Sequence, residues 1–273
     1  MQTLTDEVAA NSLETIKEEF SRTGYAVARG LFSPAEVKEI KEMFDVIADG
    51  GPLQGFGPVS EAEAGGDPLK RYPRFMQPHR VVPRAKDYLL HPGVIEILTA
   101  LFEHEPLAVQ SMYYWKPPGS RGQAMHQDNF YLLVEPYNCI AAWTAIDDVD
   151  PENGGMYLVP ETHEYPIVCP DSADPKVSWS NHLVPTPAGK KAIPCRMKAG
   201  DTLFFNGNLL HGSGPNRSKD RFRRSYIGHY SSGVTDRISH YYMPMLTPDG
   251  TEVTVEANKS GGACGSEWAG ATH

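Results

Sequence analysis

A mainly β fold with helices flanking one sheet is what the sequence predicts, on three observations. Helical periodicity is concentrated in roughly the first 105 residues. Beyond them, short runs rich in β-branched and aromatic side chains alternate with Pro/Gly loops. The residues with metal-binding chemistry, His126, Asp128 and His211, fall in that later part. The expected organisation is one domain: a helix-rich part (about 1–105), a β core (about 106–245) and a C-terminal tail (about 246–273). A chain of 273 residues with 40% hydrophobic content can bury the core this needs.

Taken in order, residues 12 to 22 predict a helix that stops near Gly24, and Tyr25-Ala26-Val27-Ala28 then starts a strand. Ser33-Pro34-Ala35-Glu36 is a capping box with proline at the first helical position, and Val37, Ile40, Met43, Phe44 and Ile47 follow at helical spacing. Residues 49 to 68, rich in Gly, Pro and acidic side chains, predict a long loop. A further helix is expected from Gly93 to Phe102, with Val94, Ile95, Leu98 and Leu101 on its buried side. The strands that follow fit a sandwich or barrel, and the expected architecture is a double-stranded β-helix, the jelly-roll or cupin-like barrel that encloses a ligand cavity between two sheets. No internal repeat is visible, and the Gly-rich stretch Lys259 to Gly265 reads as a flexible tail segment.

Composition narrows the function classes. No apolar run is long enough to span a membrane and the first residues lack the basic and apolar regions of a signal peptide, so a cytoplasmic protein is expected. A formal charge of −9 argues against nucleic acid as a partner, because phosphate neutralisation needs a basic face. Cys139, Cys169, Cys195 and Cys264 are scattered with no Cys-X-X-Cys pair, which suits reduced thiols better than a disulfide frame or zinc site. The oligomeric state is not legible.

His126-Gln127-Asp128 carries the chemistry. In an extended strand, residues two apart share a face, so an imidazole and a carboxylate can grip one ion. With 10 His and 15 Asp in 273 residues, chance alone yields roughly half of one His-X-Asp, so the pair needs context. His211 supplies it, after the turn and apolar strand Gly200-Asp201-Thr202-Leu203-Phe204-Phe205-Asn206 and before a Gly-Ser-Gly turn that admits close backbone approach. Two His and one carboxylate on one face of a metal leave other positions open, the pattern of non-haem Fe(II) oxygenases. Downstream, Asp220 to Tyr230 reads as a strand opening with three arginines, Arg221, Arg223 and Arg224. A guanidinium fork matches a carboxylate through two parallel hydrogen bonds, as a dicarboxylate such as 2-oxoglutarate requires, and Ser213 can add a hydroxyl donor. Arg221 and Arg224 read more simply as a solvated strand end.

Lys116-Pro117-Pro118-Gly119, His126-Gln127-Asp128, Ala142-Trp143-Thr144-Ala145, Glu152-Asn153-Gly154-Gly155 with Val159-Pro160-Glu161-Thr162-His163, Gly200-Asp201, and His211 to Asn216 occur in this order. Together they resemble the phytanoyl-CoA dioxygenase family of Fe(II)/2-oxoglutarate oxygenases, which includes ectoine hydroxylase, over about residues 10 to 235. The resemblance implies His126, Asp128 and His211 as ligands of Fe(II), with 2-oxoglutarate and O2 as cosubstrates. The family's 2-oxoglutarate arginine sits about eleven residues past the distal His, where this chain has Phe222. Matching Phe222-Arg223 to the family's Phe-Arg step implies one inserted residue, which makes Arg223 the first choice of anchor and Arg224 the second. Trp143 is expected as a wall near the cosubstrate. Asp128 argues against halogenation, since a halogenase of this family type would have Gly or Ala there. The implied reaction is hydroxylation of a small molecule, with succinate and CO2 released; desaturation, epoxidation or ring closure use the same oxidant. A cupin-type metalloenzyme without 2-oxoglutarate, which does not need the Arg223 anchor, and a non-catalytic jelly-roll binding protein, which does not require an open metal position, are the other classes.

Substrate contacts follow from strand parity alone. Gln110 and Met112 share one face of a strand, Ser225 shares a face with Arg223, Asn129 follows the metal carboxylate, and Phe205 precedes His211 by six residues. His79, His163, His182 and His229 read as surface or internally satisfied residues rather than ligands.

Overall fold

The computed structural model describes residues 12–136, 139–258 and 264–265. Its helices are α1 (Leu13–Thr23), α2 (Pro34–Gly50), α3 (Glu61–Ala64), α4 (Pro68–Arg71), α5 (Pro83–Leu89), α6 (Pro92–Phe102) and α7 (Asn129–Leu132). The first six strands are β1 (Tyr25–Ala28), β2 (Phe75–Met76), β3 (Pro106–Tyr114), β4 (Gln123–His126), β5 (Ile140–Ala145) and β6 (Met156–Leu158). They are followed by β7 (Asp171–Ser172), β8 (His182–Leu183), β9 (Ile193–Pro194), β10 (Thr202–Asn206), β11 (His211–Ser213), β12 (Ser225–Ser232), β13 (Arg237–Ser239), β14 (Met245–Leu246), β15 (Glu252–Val253) and β16 (Glu256–Asn258).

Two antiparallel sheets make the expected jelly roll. The major sheet runs β1-β10-β5-β12-β3-β14-β15, with β2 added beside β3, and the minor sheet runs β4-β11-β6-β9. Side-chain alternation splits the major sheet's two faces between two cores. Ala142, Phe204 and Tyr226 pack under the helices with Ile40, Phe44 and Leu98. Trp143, Leu203, Phe205 and Ile227 point the other way and meet Met156 and Leu158 of the minor sheet. The layers are therefore helix, major sheet, minor sheet.

The local causes are visible residue by residue. The side chain of Ser12 accepts from Thr15 N to start α1, and Gly24 ends it in the left-handed region at φ 85°. A Cβ there would lie 2.6 Å from the His163 ring, so glycine is required twice over. The Ser33–Glu36 capping box forms, and Phe44 of α2 stacks on Tyr113 of β3 with ring centroids 3.9 Å apart. Removing a ring so buried costs about 3–5 kcal/mol. On α6, Val94, Ile97 and Leu98 are fully buried, whereas Ile95 and Leu101 sit at the margin of the core.

Three expectations need correction. The Gly/Pro/acidic loop of residues 49–68 carries helical turns: α2 continues to Gly50, Ser60 and Glu63 form a second capping box for α3, and Asp67 caps α4. The tail is ordered at its start, where β14 and β15 extend the major sheet and β16 pairs with β13; Lys259 to Ala263 lie outside the described residues. The expectation of reduced thiols fails for one pair. Cys169 and Cys264 form a disulfide with Cα atoms 5.4 Å apart, tying the tail to the loop after β6, while Cys139 and Cys195 are free and buried. No helix among the described residues is long and apolar enough to cross a membrane.

Candidate metal centre

His126 ends β4 and His211 begins β11, and the two are directly opposed cross-strand partners in the minor sheet. Asp128 reaches the same point by a different route from the one strand parity suggests. Its backbone is helical (φ −63°, ψ −37°), and its carbonyl accepts from Tyr131 N and Leu132 N, so it caps α7 rather than extending β4. Gln127 between them is buried away from this cluster, its amide donating to the carbonyls of Pro166 and Asn208 and accepting from Val168 N.

The three side chains are 3% exposed or less, and one donor atom from each lies within 4.8 Å of the others. Asp128 Oδ1 is 3.4 Å from both His126 Nε2 and His211 Nε2. Ligands at right angles around a metal, each about 2.1 Å from it, lie about 3 Å apart, so the spacing is close to a bound geometry. The tautomers also fit. Nδ1 of His126 donates to Ala124 O and Nδ1 of His211 to Leu209 O, both at 2.9 Å, and a carbonyl can only accept. Each ring thus carries a proton on Nδ1 and turns Nε2 inward, the atom a metal would take. Burial, with His211 next to it, holds the His126 pKa below its usual value and keeps that ring neutral.

Two neighbours went unrecognised in the sequence. His229 Nε2 lies 2.9 Å from Asp128 Oδ2 and orients the carboxylate; β12 alternation puts His229 on the face of Arg223 and Ser225, so parity contained the signal. Gln123 Nε2 lies 3.0 Å from His126 Nε2, against the lone pair that a metal would take.

The same cavity has a buried cation on its far wall and a second one packed behind Ser213. Its walls include Met112, Trp143, Met156, Phe205 and Ile227, with Arg223 and Ser213 beyond the His/Asp group. Arg223 is 3% exposed; its Nη1 donates to Ser225 Oγ at 2.9 Å and its Nε to Gly154 O at 3.3 Å, and it has no ion pair among the described residues. Its guanidinium carbon sits 5.2 Å from the Trp143 ring centroid. Lys116, equally buried, donates to Ser213 Oγ at 3.0 Å and Gly214 O at 2.5 Å, again with no acidic partner among the described residues. Burial pushes Arg223 down to about 10, so it stays charged at neutral pH. Burial and then the Arg223 charge hold Lys116 well below the usual lysine range. Gly154 makes this packing possible, since at φ +83° a Cβ would meet Gly214 O and Lys116 Cε, both at 2.9 Å.

The structure sorts the remaining candidates. Arg224 lies outside the cavity, bound to Asp147 and Asp45, and Arg221 pairs with Asp150 and Glu152. Asn129 is not a pocket residue: its Oδ1 accepts from Val134 N and closes the turn after α7. Ser225 lies behind the guanidinium as its acceptor rather than facing a substrate. Gln110 is buried beside its strand partner His229, outside the cavity lining, with Oε1 unpartnered among the described residues. Met112 and Phe205 do line the cavity.

The sequence profile of the family described as Phytanoyl-CoA dioxygenase (PhyH) matches residues 20–225, and the chain belongs to that family. It is 30% identical to Phytanoyl-CoA dioxygenase 1 of Oryza sativa subsp. japonica over 141 residues, covering 51% of this chain and 50% of that one. Against the peroxisomal phytanoyl-CoA dioxygenase of Rattus norvegicus it is 27% identical over 236 residues, covering 81% and 68%. The chain thus spans about half the length of the plant relative. Among solved structures, the epimerase SnoN in complex with Fe3+, alpha ketoglutarate and nogalamycin RO superposes with a TM-score of 0.65 at 22% identity, covering 82% of this chain and 85% of that one. EvdO2 from Micromonospora carbonacea var. aurantiaca complexed with 2-oxoglutarate gives 0.64 at 20%, covering 82% and 93%. At these identities the likeness establishes the shared fold.

Proposed function

We propose that this chain is an Fe(II)/2-oxoglutarate-dependent dioxygenase that hydroxylates an unactivated carbon of a small-molecule metabolite. The observation that carries the reading is one buried cavity with a two-His, one-carboxylate donor set at one end and Arg223 at the other, with Lys116 buried behind Ser213 and neither cation ion-paired among the described residues. Burying such cations without an anion is costly, and a dicarboxylate cosubstrate held between the two ends removes that cost. This also separates the reading from cupin metalloenzymes without 2-oxoglutarate, which leave Arg223 and Lys116 without a ligand.

In this account His126, Asp128 and His211 hold the iron, Arg223 grips the far carboxylate of 2-oxoglutarate, and Lys116 and Ser213 add donors to it. When bound, the iron supplies O2 activation coupled to oxidative decarboxylation of 2-oxoglutarate, giving succinate, CO2 and the oxidising power to break a C–H bond. The protein's part is positioning. His229 fixes Asp128, Trp143 flanks the Arg223 end, and Met112, Met156, Phe205 and Ile227 keep the reacting end apolar. Asp128 occupies the position that a halide would need. The compartment is a separate matter: the Cys169–Cys264 bridge is sustained by oxidising surroundings and opposed by a reducing cytoplasm, and thiol titration of freshly isolated protein decides between them.

The test is a screen of candidate metabolites for succinate release dependent on Fe(II) and O2, coupled to product mass. A gain of one oxygen marks hydroxylation and a loss of two hydrogens marks desaturation or ring closure. No succinate from 2-oxoglutarate with or without any candidate would reject the reading.

A further inference from the structure

A third cation, Arg74, lies beside this cavity in a neighbouring groove. Residue 74 directly precedes β2, whose register pairs Phe75 with Tyr113 and Met76 with Met112. Continuing that ladder by one residue sets Arg74 across from Tyr114, on the face that Met76, Met112 and Tyr114 share. Tyr114 and Met112 line the metal cavity, and the Arg74 guanidinium carbon lies 5.8 Å from the Tyr114 ring centroid.

From the other sheet comes Trp179. The segment before it runs beside β4, with Gly122 N donating to Val177 O, Trp179 N to Gly122 O and Ala124 N to Ser178 Oγ. The Arg74 guanidinium carbon lies 3.6 Å from the Trp179 ring centroid. The two residues therefore bridge the gap between major and minor sheets, at the edge of a groove that Leu69, Pro73 and Met76 complete. The indole holds the guanidinium flat, and a cation so stacked keeps its in-plane N–H donors for a carboxylate fork. Those donors are not otherwise employed. Arg74 makes no ion pair among the described residues, and its Nη1 is buried without a hydrogen-bond partner. Nearby Arg121, by contrast, is engaged with Asp67 and Pro175 O.

We infer that Arg74 and Trp179 form the substrate's recognition subsite, and that the substrate is a small carboxylic acid whose apolar portion runs past Met76 and Met112 toward the metal centre. The inference rests on the oxygenase reading for what happens at the metal, but not for the binding itself. A single guanidinium on an aromatic ring, with an apolar floor, suits one carboxylate joined to hydrocarbon.

The test uses the full chain without metal and two matched probe pairs, hexanoate with hexanamide and phenylacetate with phenylacetamide, titrated by calorimetry and tryptophan fluorescence. Wild type is expected to bind each acid at least tenfold more tightly than its amide. Arg74→Gln should erase that preference, Arg74→Lys should keep part of it, and Arg223→Ala, at the cosubstrate end, should leave it intact. Thermal melting of both Arg74 variants checks that they fold. A preference that survives Arg74→Gln, one that vanishes in Arg223→Ala, or no preference in wild type overturns the proposal. Visible titration with Fe(II) and 2-oxoglutarate separates the two readings: Arg74→Gln should need no more 2-oxoglutarate than wild type, and a wild type that responds to neither fails the oxygenase reading alone.

Discussion

Replacing Arg223 by alanine tests how the cavity holds its cosubstrate. The side chain is 3% exposed, its Nη1 and Nε donate to Ser225 Oγ and Gly154 O, and the buried Lys116 lies behind the lining residue Ser213. Without Arg223, a bound carboxylate loses a charge-assisted fork and remains desolvated. Truncating one partner of such a contact costs about 2–5 kcal/mol. Lys116 and Ser213 still supply donors, so the lower part of that range applies: about 2–3 kcal/mol, or roughly 30- to 150-fold in the dissociation constant for 2-oxoglutarate. Arg224→Ala is the control. It breaks contacts to Asp45 and Asp147 on the helix side of the sheet, and should lower stability by about 1–3 kcal/mol without moving 2-oxoglutarate binding. Anaerobic titration of 2-oxoglutarate into the Fe(II) protein reads both variants. A large effect at Arg224 with none at Arg223 would refute the placement of this strand's register.

His229→Leu should weaken metal binding about 10- to 100-fold by freeing the Asp128 carboxylate, and His229→Gln, which keeps a donor, should recover much of it; equal metal affinity in all three proteins would contradict the positioning role. Because the Lys116 pKa is depressed, its ammonium is present below that pKa and lost above it, so 2-oxoglutarate affinity should fall as pH rises through a value below the ordinary lysine range. Lys116→Met should remove that alkaline inflection, and an unchanged profile would exclude Lys116 from the site. Reductant or Cys169→Ser should lower the melting temperature, by an effect on the order of 2–4 kcal/mol, because the bridge closes 95 residues of chain; an unmoved transition would show that the thiols are not paired in solution.

How much of this could be read from the sequence depends on how local each signal is. The jelly roll and its helical cover follow from periodicity and capping, and His126, Asp128 and His211 from a motif with context. Strand parity would put His126 and Asp128 on one face, yet the chain turns helical at Asp128 and the approach comes from the start of α7. Arg223 was separable from Arg221 and Arg224 because alternation turns neighbours to opposite faces, and the acids that neutralise the other two lie on the outside. Parity did less well for small polar residues, since Asn129 closes a turn and Ser225 serves the arginine. His229 lies within reach of the same parity rule, but nothing local distinguishes it from other internally bonded histidines. Lys116 was beyond it: its burial depends on Gly154, Ser213 and Gly214, which come from two distant loops. The Cys169–Cys264 pairing has no local signature at all, because only the folded chain brings the tail to that loop. The turns at Ser60 and Asp67 do have a local signature, the Ser60–Glu63 capping box, but the surrounding Gly and Pro outweigh it in a composition-based reading.

The central claim is that one buried cavity binds Fe(II) through His126, Asp128 and His211 and 2-oxoglutarate through Arg223 and Lys116. Anaerobic addition of Fe(II) and then 2-oxoglutarate tests it most directly. Wild type should develop a visible charge-transfer band that requires both additions, and His126→Ala, Asp128→Ala and His211→Ala should show none while keeping the wild-type circular dichroism. No band from the wild-type protein at saturating concentrations, or a full band in any of the three variants, would contradict the account.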